Sequence, residues 1–386
     1  MDSVSCKLKL GAWEIDTADD PHTELVSLSI ERAMNSPVGR CEVALFVTPA
    51  KKAGLLEQAV GAAASMLGIG EAAGGGPPAF SIDVRGLPVA HDDPMEITLS
   101  VGDRSAKVMT AKVDRVASHQ GYVRITGRGA LAAAARTRVD RIYLNQALNQ
   151  IAQDLASAAS LQTGQIDSGD TYPYFVVDSG RSVFDHVVAL AQLEGMDAYD
   201  DPDGALVMRR FNKTGADRKL HYGIHILDAR VDHDVATYAS AKVTGEGAAS
   251  TSGTDTWHHL LKDPASVQSM AGDGAELLAL ARAAARSGDA AERLAKGRLG
   301  ASLDAATRGA LRLLGDPTAA LGDAVEVADA PWPQVNGTYK VERVRHRFVK
   351  REGFVTTLGV TGMGGSAAAE DMLGQLAGAV GGALGL

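Results

Sequence analysis

Apolar and polar residues alternate over short stretches of this chain, and two of those stretches follow the same pattern. The later runs Lys340-Val341-Glu342-Arg343-Val344, crosses a polar turn, resumes at Gly353-Phe354-Val355 and closes at Thr361-Gly362. The earlier runs Lys112-Val113-Asp114-Arg115-Val116, resumes at Gly121-Tyr122-Val123 and closes at Thr126-Gly127. Two alternating, β-branched segments joined through a turn that ends in Gly predict a β-hairpin in each place. In the later copy Val344, His346 and Phe348 share one face, and Arg343, Arg345 and Arg347 share the other. Val341 falls on the opposite parity from Val344, which predicts a bulge near Glu342–Arg343. The repetition predicts two related β-domains.

Taken in order, Lys7–Trp13, Leu25–Glu31 and Arg40–Thr48 read as strands. Leu55, Leu56, Ala59, Val60, Ala63, Met66 and Leu67 follow helical spacing until Gly74-Gly75-Gly76-Pro77-Pro78 breaks it, predicting a helical insertion at 53–76. Strands resume at Met95–Val101, Ala106–Val116 and Tyr122–Thr126. Short strands punctuated by Gly, Asp and Pro favour a sandwich or barrel over a parallel sheet. The stripe Ile142, Leu144, Ala147, Leu148, Ile151, Leu155 predicts a helix over 141–159. A strand at Tyr174–Val177, a turn and cap at Asp178–Ser182, a helix at Val183–Glu194 stopped by Gly195, and a hairpin through Asp203-Gly204 follow. Strands return from Lys219, a helix is expected at Ala275–Arg298, and the second hairpin closes the unit. The predicted class is mainly β with α+β. The expected domains are a β-barrel at 1–130, a small α+β unit at 131–213, a second β-barrel at 214–362 with a helical insertion at 264–300, and a Gly/Ala tail at 363–386. Its glycines, 374, 378, 381, 382 and 385 among them, make that tail marginal as a lone helix, so it orders only against a partner.

The 386 residues suffice for several cores, and 45% hydrophobic content indicates a globular chain. A net charge of −9 argues against nucleic-acid binding, which needs a dense basic face. Two cysteines, Cys6 and Cys41, are too few for a disulfide framework or a zinc site. No secretory signal stands at the N-terminus, and the apolar run Leu373–Leu386 is shorter than a membrane span. Asp197, Asp200, Asp201 and Asp203 lack EF-hand spacing and read as a hairpin turn; adjacent His258 and His259 cannot both face one metal. Phosphate-loop and nucleophile-elbow patterns are missing, so no enzyme and no cofactor is expected. Arg343, Arg345 and Arg347 form the least ordinary surface feature. Two readings stand side by side: a solvated edge that blocks aggregation, and a face meeting acidic residues of another subunit.

The stretch Tyr174-Phe175-Val176-Val177-Asp178-Ser179-Gly180-Arg181-Ser182-Val183-Phe184, continued through Glu194-Gly195-Met196 to Gly204-Ala205-Leu206-Val207, resembles the baseplate hub proteins of contractile phage tails. So do the closing hairpin from Tyr339 through His346 to Leu358 and the order β-domain, α+β unit, β-domain. That family includes the late control protein D group and the hub-like N-terminal part of the VgrG spike proteins of contractile injection systems. The resemblance implies a structural homotrimer with two tube-like barrels per chain, a pseudo-sixfold ring joining a hexameric tail tube to a trimeric spike. It implies baseplate wedge proteins as further partners, synthesis in the bacterial cytoplasm and assembly into a virion or particle, with the spike a separate chain. On this reading Arg343, Arg345 and Arg347 are candidates for a subunit interface, and Leu373, Leu376, Val380 and Leu384 for contact with the spike. The helical insertion at 53–76 and the Gly-rich tail depart from the family pattern. The alternatives are a peptidoglycan-cleaving tail component and a host-surface glycan-binding module.

Overall fold

The computed structural model describes residues 3–11, 13–19, 25–37, 39–46, 81–84, 87–119, 122–245, 247–248, 260–261 and 267–363. The helix expected at 53–76, the tail after residue 363 and His258-His259 lie outside them. Described strands of the first third are β1 (Val4–Leu10), β2 (Trp13–Asp16), β3 (Leu25–Ala33), β4 (Arg40–Phe46), β5 (Ser81–Val84), β6 (Leu87–Ala90), β7 (Pro94–Val101), β8 (Arg104–His119) and β9 (Tyr122–Gly129). Period-two alternation drives them to one side: Cys6, Leu8 and Leu10 of β1, Cys41, Val43 and Leu45 of β4, and Met95, Ile97 and Leu99 of β7 are all buried in a first core. Each fully buried Leu or Ile contributes roughly 1.5–3 kcal/mol relative to exposure.

Helix α1 (Leu131–Arg136) leads into β10 (Arg141–Ala147), α2 (Leu148–Ala158), β11 (Thr163–Ile166), β12 (Thr171–Val177), α3 (Val183–Leu193), β13 (Met196–Asp200) and β14 (Leu206–Arg210). These gather a second core from Leu148, Ile151, Leu155, Phe175, Val187 and Leu190 among others. The helix expected over 141–159 begins only at Leu148. Its first seven residues instead pair antiparallel with β12, burying Tyr143 and leaving Ile142 and Leu144 exposed. Ile-Tyr-Leu fits a half-buried strand as well as a helix turn, and Asn145 takes φ +49°, outside the helical region. The cap expected before α3 is present. Ser182 Oγ accepts from Asp185 N at 3.1 Å, and Asp185 Oδ2 accepts from Ser182 N at 3.0 Å.

The last third holds β15 (Arg218–His221), β16 (Ile226–His233), β17 (Ser240–Thr244), β18 (Gly247–Ala248), β19 (Leu260–Leu261), β20 (Gln268–Gly272), β21 (Leu277–Ala281), α4 (Gly288–Ala305), β22 (Thr307–Leu314), β23 (Ala324–Ala328), β24 (Gly337–Val349) and β25 (Gly353–Gly362). The helix expected at Ala275–Arg298, within the insertion at 264–300, is corrected here. Leu277–Ala281 is a strand lying parallel to β17, and the helix runs from Gly288 to Ala305. The true start signal is Ser287, whose Oγ accepts from Ala290 N at 3.1 Å. A sheet β20-β17-β21 backed by α4 makes a small core around Val243, Leu294 and Leu299, so the insertion is α+β rather than helical.

One antiparallel path joins the two ends of the chain: β16-β22-β25-β24-β3-β4-β9-β8-β7-β1-β2, with β23 and β15 attached beside β24. The fold is mainly β, with one large curled sheet. Its seam is β24 against β3, from Arg343↔Ala33 to Val349↔Ser27. Strand β24 is 13 residues long and serves two cores. Tyr339, Val341 and Val344 enter a core with Leu311, Leu313, Val325 and Leu358, whereas Phe348 and Phe354 enter the core of the first third.

Candidate functional site

The two hairpins β8–β9 and β24–β25 are built alike in detail. In the first the register shifts between Val113 and Arg115; in the second it shifts between Val341 and Arg343. The extra residue is Asp114 in one and Glu342 in the other, the same position in the shared Lys-Val-acid-Arg-Val stretch. The bulge expected from the parity break is therefore present, and it occurs twice. Beyond it the second hairpin is longer by about two residues per arm, an even number that keeps every side chain on its face. The closing Thr-Gly pairs do not correspond, since Gly127 opposes Val113 but Val360, not Gly362, opposes Val341.

The arginine ladder lies where alternation places it. Val344, His346 and Phe348 are buried, and Arg343, Arg345 and Arg347 are exposed on the opposite face. Arg343 pairs with Glu31 of β3 at 3.2 Å and Arg347 with Glu352 at 3.3 Å. Arg345 stands directly opposite Glu31. The same sheet face continues onto β4, β9 and β8, where Glu42 meets Arg124 at 3.2 Å and Arg40 at 3.5 Å, with Arg115 beside them. Sequence reasoning missed Arg40, Arg115, Arg124, Glu31 and Glu42 as neighbours of the ladder. A local signal was present in Arg40-Cys41-Glu42-Val43, whose alternation sets Arg40 and Glu42 opposite buried Cys41 and Val43. Between the charges the face carries Ser29, Ala33, Ala44, Thr126, Thr357 and Gly359.

Behind this face, buried ionic groups fasten the units together. Lys340 Nζ reaches Asp197 Oδ2 of β13 at 2.8 Å and Glu342 Oε1 at 3.1 Å, over the ring of Phe211 at 5.5 Å. Burial would lower its pKa, but the two carboxylates prevail and raise it. Arg32 of β3 donates to the backbone oxygens of Val108 and Asp200, and its Nε lies 3.7 Å from Asp200 Oδ1. Burial pushes the Asp200 carboxyl up against the pull of Arg32. His346 Nδ1 lies 3.1 Å from Thr356 Oγ1, which accepts from Asp316 N at 2.9 Å. Burial, then the nearby Arg32 charge, push the His346 ring down to about 4. The aspartates of the 197–203 stretch are thus engaged separately: Asp197 by Lys340, Asp200 by Arg32, and Asp203 by Lys107 at 2.5 Å. Asp201 Oδ1 accepts from the amides of Asp203 and Ala205, both at 2.9 Å, and so shapes the turn. Among the described residues no group of three or more His, Cys, Asp or Glu could hold a metal ion. Leu373, Leu376, Val380 and Leu384 lie outside the described residues.

No protein-family model matches the chain, and no curated protein sequence matches it. Solved structures do. The 43 kDa tail protein of prophage MuSo2 from Shewanella oneidensis is similar at a TM-score of 0.65 and 14% identity, covering 93% of this chain and 98% of that one. A tail protein from Neisseria meningitidis MC58 gives 0.64 and 12%, covering 94% and 97%. The E. coli c3393 protein gives 0.50 and 11%, covering 92% and 76%; it is a component of the type VI secretion system with structural similarity to the T4 bacteriophage tail proteins gp27 and gp5. At these identities the likeness is one of fold, and it extends over nearly the whole chain: this protein has the fold of phage tail proteins and of a type VI secretion component.

Proposed function

We propose that this chain is a structural baseplate hub of a contractile tail or contractile injection system, without enzymatic activity. Three copies form a ring in which the halves carrying β8–β9 and β24–β25 alternate as six near-equivalent positions. Such a ring matches a hexameric tail tube on one side and a trimeric spike on the other, with wedge proteins around it. The domain bounds suited to this role are 1–130 and 214–362 for the two halves, with 131–213 between them. Particle assembly follows synthesis in the bacterial cytoplasm.

One observation carries the reading: two hairpins bulged at the same residue of the same short sequence lie in one continuous sheet, within a fold shared with phage tail proteins. A threefold object that must imitate sixfold symmetry needs two similar elements per chain, and an internal repeat supplies them. Light scattering on the purified chain tests it. A trimer of about 120 kDa is expected from a 40.1 kDa chain. A monomer that persists at high micromolar concentration, alone and with an added tube or spike partner, would refute the ring.

A further inference from the structure

We infer that the exposed face of the sheet across β8, β9, β4, β3 and β24 binds the phosphate backbone of nucleic acid without regard to sequence. The net charge of −9 is an average that hides a segregated surface. On this face Arg40, Arg115, Arg124, Arg343, Arg345 and Arg347 are exposed against three carboxylates, Glu31, Glu42 and Glu352, the last paired with Arg347 at 3.3 Å. The other two are shared. Glu42 lies between Arg40 and Arg124, and Glu31 is held by Arg343 while Arg345 stands across from it. The face therefore keeps a positive excess after every internal pairing.

Spacing and chemistry select the partner. Residues two apart on a strand lie about 6.7 Å from each other, so each arginine of the Arg343, Arg345, Arg347 row stands within one Debye length, about 10 Å at 0.1 M salt, of its neighbour. Guanidinium forks match phosphate oxygens, and a row of them suits a regularly charged polymer. Around the arginines the face is mostly small or polar, with Ser29, Ala33, Ala44, Thr126, Thr357 and Gly359, joined by Val355 opposite Arg347 and by the exposed Phe46–Tyr122 ring pair at the end of β4 and β9. Among the described residues no array of amides stands on this face to read base edges, so a polyanion meets it through its backbone. What remains is charge, the chemistry of non-specific backbone contact. The inference concerns one chain's surface and does not depend on the ring.

The test uses the full chain and a fluorescein-labelled 30-base-pair duplex of random sequence, with anisotropy read across NaCl concentrations. Wild type should bind with an affinity that falls steeply as salt rises. The triple variant Arg343→Gln/Arg345→Gln/Arg347→Gln should bind at least tenfold more weakly, and its salt slope should shrink by about 2–3, at about 0.9 per lost phosphate contact. The opposite variant, Glu31→Gln/Glu42→Gln, should bind more tightly, which keeps the test decisive if the triple variant fails to fold. Failure of wild type to bind at 50 mM NaCl, binding unmoved by either variant, or tighter binding of polyglutamate of matched charge would overturn the inference.

Discussion

The buried imidazole of His346 makes stability depend on pH in a way that one substitution should remove. The ring sits among Phe354, Thr356 and the Arg32 guanidinium, nearly sealed from water, and is held down to about 4 from an ordinary value of 6.5. The unfolded chain accepts a proton near 6.5 that the folded chain refuses until about 4. Stability supplied by the neutral ring is therefore complete above pH 6.5, falls as pH drops, and is fully lost below pH 4. At pH 5 the unfolded ring is almost wholly protonated and the folded ring almost wholly neutral, a loss of about 2 kcal/mol, growing to about 3 kcal/mol below pH 4. His346→Gln keeps a polar group facing Thr356 and cannot titrate. Urea unfolding of both proteins at pH 7.5 and pH 5 isolates the effect, because carboxylates elsewhere move both alike. Wild type should lose about 2 kcal/mol more than the variant, a midpoint shift of roughly 0.7 M for a slope near 3 kcal/mol/M. Equal losses, or a ring resonance that titrates near 6.5 in the folded protein, would refute the placement of His346 in a sealed site.

Two further substitutions probe the joints. Lys340→Met strands Asp197 without its cation and should cost about 3 kcal/mol in chemical denaturation, while Lys340→Met/Asp197→Asn should regain more than half of that; additive effects would show that the pair is not coupled. Gly127→Ala places a Cβ 2.6 Å from Cys41 Sγ and 2.8 Å from Met95 Sδ in the first core, and should destabilise by about 1–3 kcal/mol in thermal melts. Adding Cys41→Ala should return part of the loss.

Where the chain could be read and where it could not follows from the range of the interactions. The bulge in β24 was legible because Val341 and Val344 must both face inward and their spacing is odd, which is local information. The arginine ladder was legible for the same reason. The strands at Arg141–Ala147 and Leu277–Ala281 were not. Each holds apolar residues that fit either period, and the choice was made by β12 and β17 pairing with them. The basic character of the whole sheet face was hidden further still. It needs β24 beside β3, a contact across some three hundred residues, before Arg345 and Arg40 can flank Glu31.

That long-range seam explains why the two hairpins are similar but unequal. β8–β9 lies within the first third, flanked by β7 and β4, so its arms need to cover one core. β24–β25 must pair with β22 and β23 in its own half and still reach β3 in the other. The additional length past the bulge carries Phe348 and Phe354 into the first core. Losing one residue from each arm would exchange inward for outward positions beyond the deletion, burying arginines and exposing those phenylalanines; losing two from each would preserve the faces but withdraw the seam. The even difference in length is what allows one repeated motif both to keep its faces and to join the two halves into a single sheet.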